Sequence, residues 1–182
     1  MFENLHWHRY SMAYRHAFVK NVQSLARQFP DVTFLVKPHH AGMWLTQRHR
    51  GLRPDAANVV IADPAVAAWE PYTASALLGH LSAVITSPST VALDAARHGM
   101  PTAVVAIDLG LENYNPLTLI RQTADWFAFV QAALDPARRD QLLAQSAAFV
   151  RHTLASEDGA GFVVNDLASV IHAAYEKESR VH

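Results

Sequence analysis

The chain has 182 residues, about the length of one domain, and can bury a hydrophobic core without covalent cross-links. It has no cysteine, which excludes disulfides and cysteine-based metal or redox sites. The formal net charge of −1 gives no support for binding to nucleic acid, and no apolar run is long enough to span a membrane. Because the N-terminus also lacks the apolar core of a secretory signal, we expect a cytoplasmic protein.

Helical and strand patterns alternate along the chain. Apolar residues at helical spacing begin after Ser11, a plausible N-cap, and the first helix ends before Pro30. The predicted helices are Ser11–Phe29, 41–50, Tyr72–Leu81, Thr90–His98, Leu117–Leu134, Pro136–Leu154 and Gly161–Glu178. The predicted strands are Val32–Lys37, Asn58–Ala62, Ala83–Thr86 and Thr102–Ile107.

Continuous apolar strands that alternate with helices indicate a parallel sheet covered on both faces. We therefore predict an α/β fold, a Rossmann-like three-layer αβα sandwich, forming one domain over residues 1–182. Crossovers in such a sheet are right-handed, so the strand ends that lead into helices share one edge, where ligands bind. The segments that follow the strands are Lys37–His40, Asp63-Pro64, Ser87–Thr90 and Asp108–Asn113.

Small hydroxyl residues fill the junction between one strand and the next helix. Ser87, Ser89 and Thr90 lie where a helix N-terminus offers unpaired N–H groups, which suits a phosphate. Ser and Thr are also the commonest helix caps, so simple capping is an equal alternative at this point. Asp94 lies one turn beyond Thr90 on the same helix face, where its carboxylate could accept both hydroxyls of a ribose. A solvated Asp near a helix start is the alternative for that residue.

These residues resemble the nucleotide-binding segment of GT-B glycosyltransferases. The pattern runs from Ser89 through Asp94 to Gly99-Met100-Pro101. Lys37-Pro38-His39-His40, Thr86-Ser87-Pro88-Ser89-Thr90 and Ser156-Glu157-Asp158-Gly159 are similar to elements of capsular polysaccharide transferases and CDP-glycerol glycerophosphotransferases. His40 and Pro88 depart from that pattern.

The resemblance implies the donor-binding domain of a transferase in bacterial surface (capsular) polysaccharide synthesis. The substrate would be a nucleotide-activated sugar or polyol, either diphosphate-linked or CMP-linked, with no cofactor and no metal. Lys37, His39, Ser87, Ser89 and Thr90 would hold the phosphates, and Asp94 the ribose. Glu112 and Asn113 would touch the ribose or the transferred group, or else form an ordinary polar loop.

A GT-B enzyme has two lobes, and the resemblance covers only the second. It therefore implies an N-terminal lobe or a partner subunit, through which the assembly could sit at the inner face of the membrane. We expect no turnover by this chain alone, and the catalytic residues stay unknown, with His39 and Asp63 as weak candidates. The family's first strand is poorly matched by "MFENLHWHRY", which predicts at most a stub around Leu5–His8 or a late start of the chain.

Two other functions remain open: a UDP-sugar 2-epimerase-like enzyme and a non-catalytic module that binds a nucleotide or a partner protein. A dinucleotide fingerprint and a P-loop are both absent from the sequence. His6-x-His8 and His39-His40 lack the carboxylates of a recognised metal motif. A Ser-His-Asp triad from Ser89, His39 and Asp94 lacks the usual nucleophile elbow.

Overall fold

A computed structural model describes residues 1–6, 8, 10–39 and 44–154. Within these ranges the strands are β1 (Phe2–Glu3), β2 (Phe34–Pro38), β3 (Val59–Ile61), β4 (Val84–Thr86), β5 (Thr102–Val105) and β6 (Thr118–Ile120). The α-helices are α1 (Met12–Gln28), α2 (Ala74–Leu78), α3 (Val91–Arg97), α4 (Thr123–Leu134) and α5 (Pro136–Leu154). Shorter helical turns cover Trp44–Arg48, Arg50–Leu52, Ala67–Trp69 and Glu112–Tyr114.

The chain divides into two compact units, Met1–Phe149 and Val150–His182. All six of these strands lie in the first unit. The predicted helix Gly161–Glu178 and the Ser156–Gly159 element fall outside the described residues, and the expectation of one domain over residues 1–182 stays a prediction.

The six strands form one parallel sheet in the order β3-β2-β1-β4-β5-β6. The order reverses between β1 and β4, which makes the carboxyl ends of these two strands the topological switch point of the sheet. Every residue of β5 is buried, as expected for a strand covered on both faces.

Helices cover both faces of the sheet. One hydrophobic cluster joins α1 and α4 to the sheet through residues such as Phe18, Leu25 and Trp126. A second cluster joins α2 and α3 to the other face through Leu77, Leu78 and Ala95. The predicted Rossmann-like three-layer α/β sandwich is thereby confirmed. Across the described residues, no helix combines the length and the apolar character needed to cross a membrane.

Local sequence signals explain the best-predicted helix, α1. The Ser11 Oγ accepts a hydrogen bond from the Tyr14 N–H at 3.0 Å, which confirms Ser11 as the N-cap. Phe18, Val22 and Leu25 recur at helical spacing and are buried. Pro30 follows the C-cap and prevents the helix from continuing.

The helix predicted over Leu117–Leu134 is wrong in its first part, because Thr118–Ile120 forms the edge strand β6. A capping box separates the strand from α4. The Gln122 side chain accepts from the N–H of Asp125, and the Asp125 carboxylate accepts from the N–H of Gln122 at 3.1 Å. The three-residue strand was hidden because its apolar residues are in phase with those of the helix that follows.

Two N-terminal predictions also need correction. The strand stub expected around Leu5–His8 forms instead at Phe2–Glu3, where backbone pairing with β2 and β4 fixes it. Of the short helix expected over 41–50, residues 41–43 lie outside the described ranges. The rest forms a π-helical turn at Trp44–Arg48, followed by a 3-10 turn at Arg50–Leu52.

Candidate functional site

A cleft of about 670 Å³ opens at the carboxyl ends of β1, β2 and β4. Its position is the switch point of the sheet, where ligands of doubly wound folds bind, and its volume is typical of a small-molecule site. The residues that line it come from four segments, namely Phe2–Asn4, Lys37–His39, Pro64 with Trp69–Ala74, and Thr86–Val91. Five of the predicted binding residues meet in it, namely Lys37, His39, Ser87, Ser89 and Thr90.

Buried hydrogen bonds hold the first part of the β4–α3 junction in place. Ser87 is 1% exposed, and its Oγ accepts from the Asn4 N–H at 3.0 Å. The Ser87 N–H donates to the Phe2 carbonyl at 3.0 Å, and the Asn4 side-chain amide donates to the Pro88 carbonyl at 3.2 Å. Ser87 therefore fixes the cleft wall to β1, and its hydroxyl is engaged within the protein.

The other two hydroxyls of the junction do not cap α3. Thr90 is the N-cap residue by position, but its side chain makes no capping hydrogen bond. Ser89 Oγ lies 3.1 Å from Thr86 Oγ1, so its hydroxyl is tied to the end of β4 and not to the helix. Thr90 is exposed and Ser89 half-buried in the cleft. Capping, the alternative to ligand binding at this junction, is thus not the role of these side chains.

Lys37 supplies a cation to the cleft. Its partial burial lowers the pKa of the ammonium, and the negative charge of Asp63 opposes that shift. Among the described residues Lys37 makes no salt bridge, whereas Asp63 pairs with Arg53 at 2.8 Å. The Lys37 ammonium is therefore available to an anion in the cleft.

His39 is the exposed histidine at the end of β2. Its backbone N–H donates to the Glu3 carbonyl at 2.9 Å, which extends the pairing of β1 with β2. Its ring centroid lies 4.8 Å from that of His6, so two imidazoles meet at the rim of the cleft. His40 lies outside the described residues.

Asp94 lies in the first turn of α3, half-buried and beyond the residues that line the cleft. Within the part of the chain that the structure describes, its carboxylate makes no hydrogen bond or ion pair. The Asp94 carboxylate is therefore free to accept hydrogen bonds from a ligand, one helical turn behind Thr90.

The glycine of the Gly99-Met100-Pro101 element has a structural role. Gly99 has a φ of +67° and follows the C-cap of α3. Its N–H donates to the Ala96 carbonyl at 3.0 Å, and the Met100 N–H donates to the Ala95 carbonyl at 3.3 Å. These two bonds form a Schellman motif, which requires a left-handed residue and favours glycine. The end of helix α3 is therefore sufficient to explain Gly99, and the Gly99-Met100-Pro101 element is weaker support for nucleotide binding than the sequence pattern suggests.

Besides Asp94, three more predicted site residues lie outside the cleft lining. Asp63 is committed to Arg53, and its second oxygen accepts from the Ala65 N–H at 3.1 Å. Glu112 and Asn113 are exposed in a 3-10 turn after β5. A contact between them and a ligand remains a prediction.

Sequence reasoning did not assign four residues of this region to a binding site, and the helical spacing of Trp69 and Tyr72 favoured core or lobe-interface positions for these two. Tyr114, the neighbour of Asn113, receives a hydrogen bond from the Ser89 backbone, which opposes the rise in its pKa that burial causes. Trp69 and Tyr72 meet edge to face at 5.7 Å on the opposite wall of the cleft.

Glu3 is the fourth residue that was missed. It lines the cleft at 3% exposure, and burial raises the pKa of its carboxyl to about 7, against the opposing effect of a hydrogen bond from the Leu5 N–H. A carboxyl with such a pKa can take up or release a proton near neutral pH. The sequence did not reveal it because β1 has only two residues.

No group of three or more metal-ligating side chains converges in the described parts of the chain. Comparison with known proteins found no matching family model, curated protein or solved structure.

Proposed function

We propose that the cleft binds the phosphates of a nucleotide-activated sugar or polyol, and that the chain is the donor-binding domain of a GT-B-type transferase in bacterial surface polysaccharide synthesis. One observation carries the proposal. Lys37, Ser89 and Thr90 share a cleft at the switch point of the sheet, and neither hydroxyl caps the helix beside it. A cation and hydroxyl donors are the groups that recognise a phosphate. Thr90 Oγ1 makes no hydrogen bond within the described residues, and the Ser89 hydroxyl would donate to a phosphate in place of Thr86 Oγ1.

The proposed pose places the phosphates between Lys37 and the Ser89–Thr90 pair. The α3 helix has seven residues, so we assign more weight to these side chains than to its dipole. Asp94 would accept the ribose hydroxyls, and Trp69 and Tyr72 offer aromatic surface for the base.

The chemical role of such a site is to stabilise the leaving group. When a glycosyl or glycerophosphoryl bond breaks, negative charge grows on the departing nucleotide phosphate. Donors that are already in position stabilise that charge without reorganising, which lowers the barrier. Lys37 supplies the positive charge that a divalent metal supplies in other transferases.

Calorimetric titration with CDP-, UDP-, GDP- and CMP-linked donors tests the proposal. We expect one class of donor to bind, and the double variant Ser89→Ala/Thr90→Ala to raise its Kd about 5- to 30-fold, from about 1 kcal/mol per hydrogen bond. Ser82→Ala is the matched control, because it removes an exposed hydroxyl before β4, at the opposite end of the strand. Lys37→Met should weaken binding further, because hydrogen bonds to charged groups are stronger.

Two outcomes would contradict the proposal. If none of the four donor classes binds, the cleft is not a nucleotide site. If the Kd is unchanged in the double variant, Ser89 and Thr90 do not contact the donor. If a donor binds, product analysis with UDP-sugar distinguishes an epimerase, which releases an epimer without an acceptor. A donor that binds and never reacts, in any assembly tested, indicates a non-catalytic module.

A further inference from the structure

Glu3 lies on the floor of the cleft, where the strand order of the sheet reverses. It pairs with Pro38 of β2, and the residue before it, Phe2, pairs with Thr86 of β4. Continuing that register by one residue places Glu3 level with Ser87. The carboxyl end of β1 therefore lies between the two strands whose ends carry the proposed phosphate site.

The two carboxyl oxygens of Glu3 have different surroundings. Oε2 accepts a hydrogen bond from the Leu5 N–H. Oε1 makes no hydrogen bond or ion pair within the described residues, and it is not fully enclosed by protein. Because Glu3 is 3% exposed and lines the cleft, Oε1 is the polar atom of this side chain that a ligand can reach.

Within the described residues no cation is paired with the Glu3 carboxyl. Burial raises the pKa of Tyr14, and the charge of Glu3 adds to that rise, but the Tyr14 hydroxyl donates to the Val105 carbonyl at 3.2 Å. Arg15 of α1 donates to the Leu5 carbonyl at 2.6 Å. An ionised Glu3 is therefore a buried charge without a counter-ion, and burial raises the pKa of its carboxyl to about 7.

The other titratable groups that face the cleft or adjoin β1 are Lys37, His39, His6, Glu70, Tyr10 and the Met1 amine. Burial raises the pKa of Tyr10 to about 12 and lowers the pKa of the Met1 amine to about 5, so neither changes charge close to pH 7. Histidine is the other side chain whose ordinary pKa lies in this range. An experiment on Glu3 must therefore separate it from the two imidazoles at the rim.

A phosphate in this cleft would share it with the open oxygen of Glu3. If Glu3 is ionised, two negative charges lie in one partly buried site and repel each other. If Glu3 is protonated, its O–H can donate a hydrogen bond, and such a bond to a charged oxygen is strong. The cleft therefore favours an anion when Glu3 is neutral.

We infer that Glu3 is a ligand-binding residue of the cleft, and that it meets the phosphate as a neutral carboxylic acid whose Oε1 donates its proton to a phosphate oxygen in a hydrogen bond. When a donor binds to a chain in which Glu3 is ionised, the site takes up one proton from the solvent. The inference rests on the proposed function, because it needs a phosphate in the cleft. It adds a preference for anionic ligands, since a neutral ligand does not need the proton.

Calorimetric titration at pH 6 and pH 8 tests the inference, with whichever CDP-, UDP-, GDP- or CMP-linked donor binds. The phosphates of these donors are diesters, which do not titrate in this range. We expect the Kd to be about tenfold larger at pH 8, because only about a tenth of the chains then have a protonated Glu3. At pH 8, titration in buffers of different ionisation enthalpy should show an uptake of nearly one proton per donor bound.

Three variants assign the proton. Glu3→Gln should give nearly equal Kd values at both pH values, because its amide N–H donates at either pH and its oxygen can still accept from the Leu5 N–H. Glu70→Gln is the matched control, since it removes an exposed carboxylate that lines the same cleft, and the tenfold ratio should remain. The ratio should also remain in His39→Gln.

The outcomes separate this inference from the proposed function. If a donor binds without proton uptake at pH 8, or binds more tightly at pH 8 than at pH 6, the inference is wrong and the nucleotide site stands. The same holds if the ratio is lost in His39→Gln and kept in Glu3→Gln, because the proton then belongs to an imidazole. If no donor class binds, the inference falls together with the proposed function. Proton uptake is measured on the original chain, so the test does not depend on the folding of any variant.

Discussion

Glu3 is the acidic side chain most strongly affected by burial among the described residues. Its folded-state pKa of about 7 lies above the ordinary value of 4.5 for a glutamate, so between these values the folded state holds a proton that the unfolded state releases. Between these two pH values, the free energy of unfolding therefore falls as pH rises, because Glu3 must lose its proton while buried. Above pH 7 the whole of this stability is lost. Below pH 4.5 the residue has no such effect, because it is protonated in both states.

Replacing Glu3 with Gln should remove this pH dependence. The amide keeps an oxygen that can accept from the Leu5 N–H, but it has no charge to bury. We expect Glu3→Gln to gain stability relative to the original chain as pH rises from about 4.5 to about 7, by up to about 3 kcal/mol. Urea unfolding at pH 5 and pH 8 measures the difference, and the opposite effect of the Met1 amine cancels in the comparison. If the variant and the original chain differ in unfolding free energy by the same amount at both pH values, burial of Glu3 does not cause the pH dependence.

Two glycines that end helices provide a matched pair. Gly99 has a φ of +67°, whereas Gly79 is the C-cap of α2 with a φ of −61°. An added Cβ would meet no atom within 4 Å at either position, so only backbone conformation separates them.

Gly99→Ala should therefore destabilise the fold by about 1–2 kcal/mol, and Gly79→Ala should be neutral or slightly stabilising. Chemical denaturation of the two variants beside the original chain measures both. Equal effects would mean that the left-handed conformation at Gly99 is not strained by a side chain. Because Gly99 has this structural role, we expect donor affinity to be unchanged once Gly99→Ala is folded.

At the scale of elements, the buried strands could be predicted because each is marked by a continuous apolar run. "TFLV" and "TAVVA" are rich in β-branched residues and are bounded by proline or polar residues. Elements defined by distant pairing could not be predicted in this way. Phe2–Glu3 becomes a strand only because β2 and β4 lie on either side of it. The three residues of β6 run directly into a helix of the same apolar phase.

The candidate site likewise contains residues that could be predicted from the sequence and residues that could not. Lys37 lies near the end of one strand, and Ser89 and Thr90 follow another, so strand prediction alone placed them at one edge. Glu3 and Tyr114 reach the same region through burial and hydrogen bonding, which depend on the packed fold. The absence of a cap at Thr90 is also a matter of geometry, since the sequence is compatible with both readings.

At the scale of the whole molecule, the proposed function implies that donor binding and acceptor activation lie on different lobes. Transfer needs an acceptor held in line with the donor, a base to take its proton, and exclusion of water. In GT-B enzymes the acceptor lobe, which is the N-terminal one, provides these. If the proposal is right, the 182-residue chain binds its donor weakly and turns over only when the acceptor lobe is supplied.

Turnover assays on the purified chain, with each donor and a polysaccharide acceptor, test this expectation. Product should stay at background, and donor binding by calorimetry shows that the protein is competent. Robust transfer by the chain alone would contradict the expectation. The proton acceptor would then have to be sought within the cleft, with His39 and Glu3 as the first residues to replace.

The strand that comes first in the chain is central in the sheet, and this order constrains how the molecule can fold. The bond from the Asn4 N–H to Ser87 Oγ closes a loop with a sequence separation of 83 residues. Such a closure carries a large entropic penalty and slows folding, since local contacts cannot offset it in advance. During synthesis, Phe2 and Leu5 have no partners on β4 until residues 84–87 have left the ribosome. The cleft therefore cannot form before these residues are available, and the amino-terminal segment is exposed to wrong associations until it does.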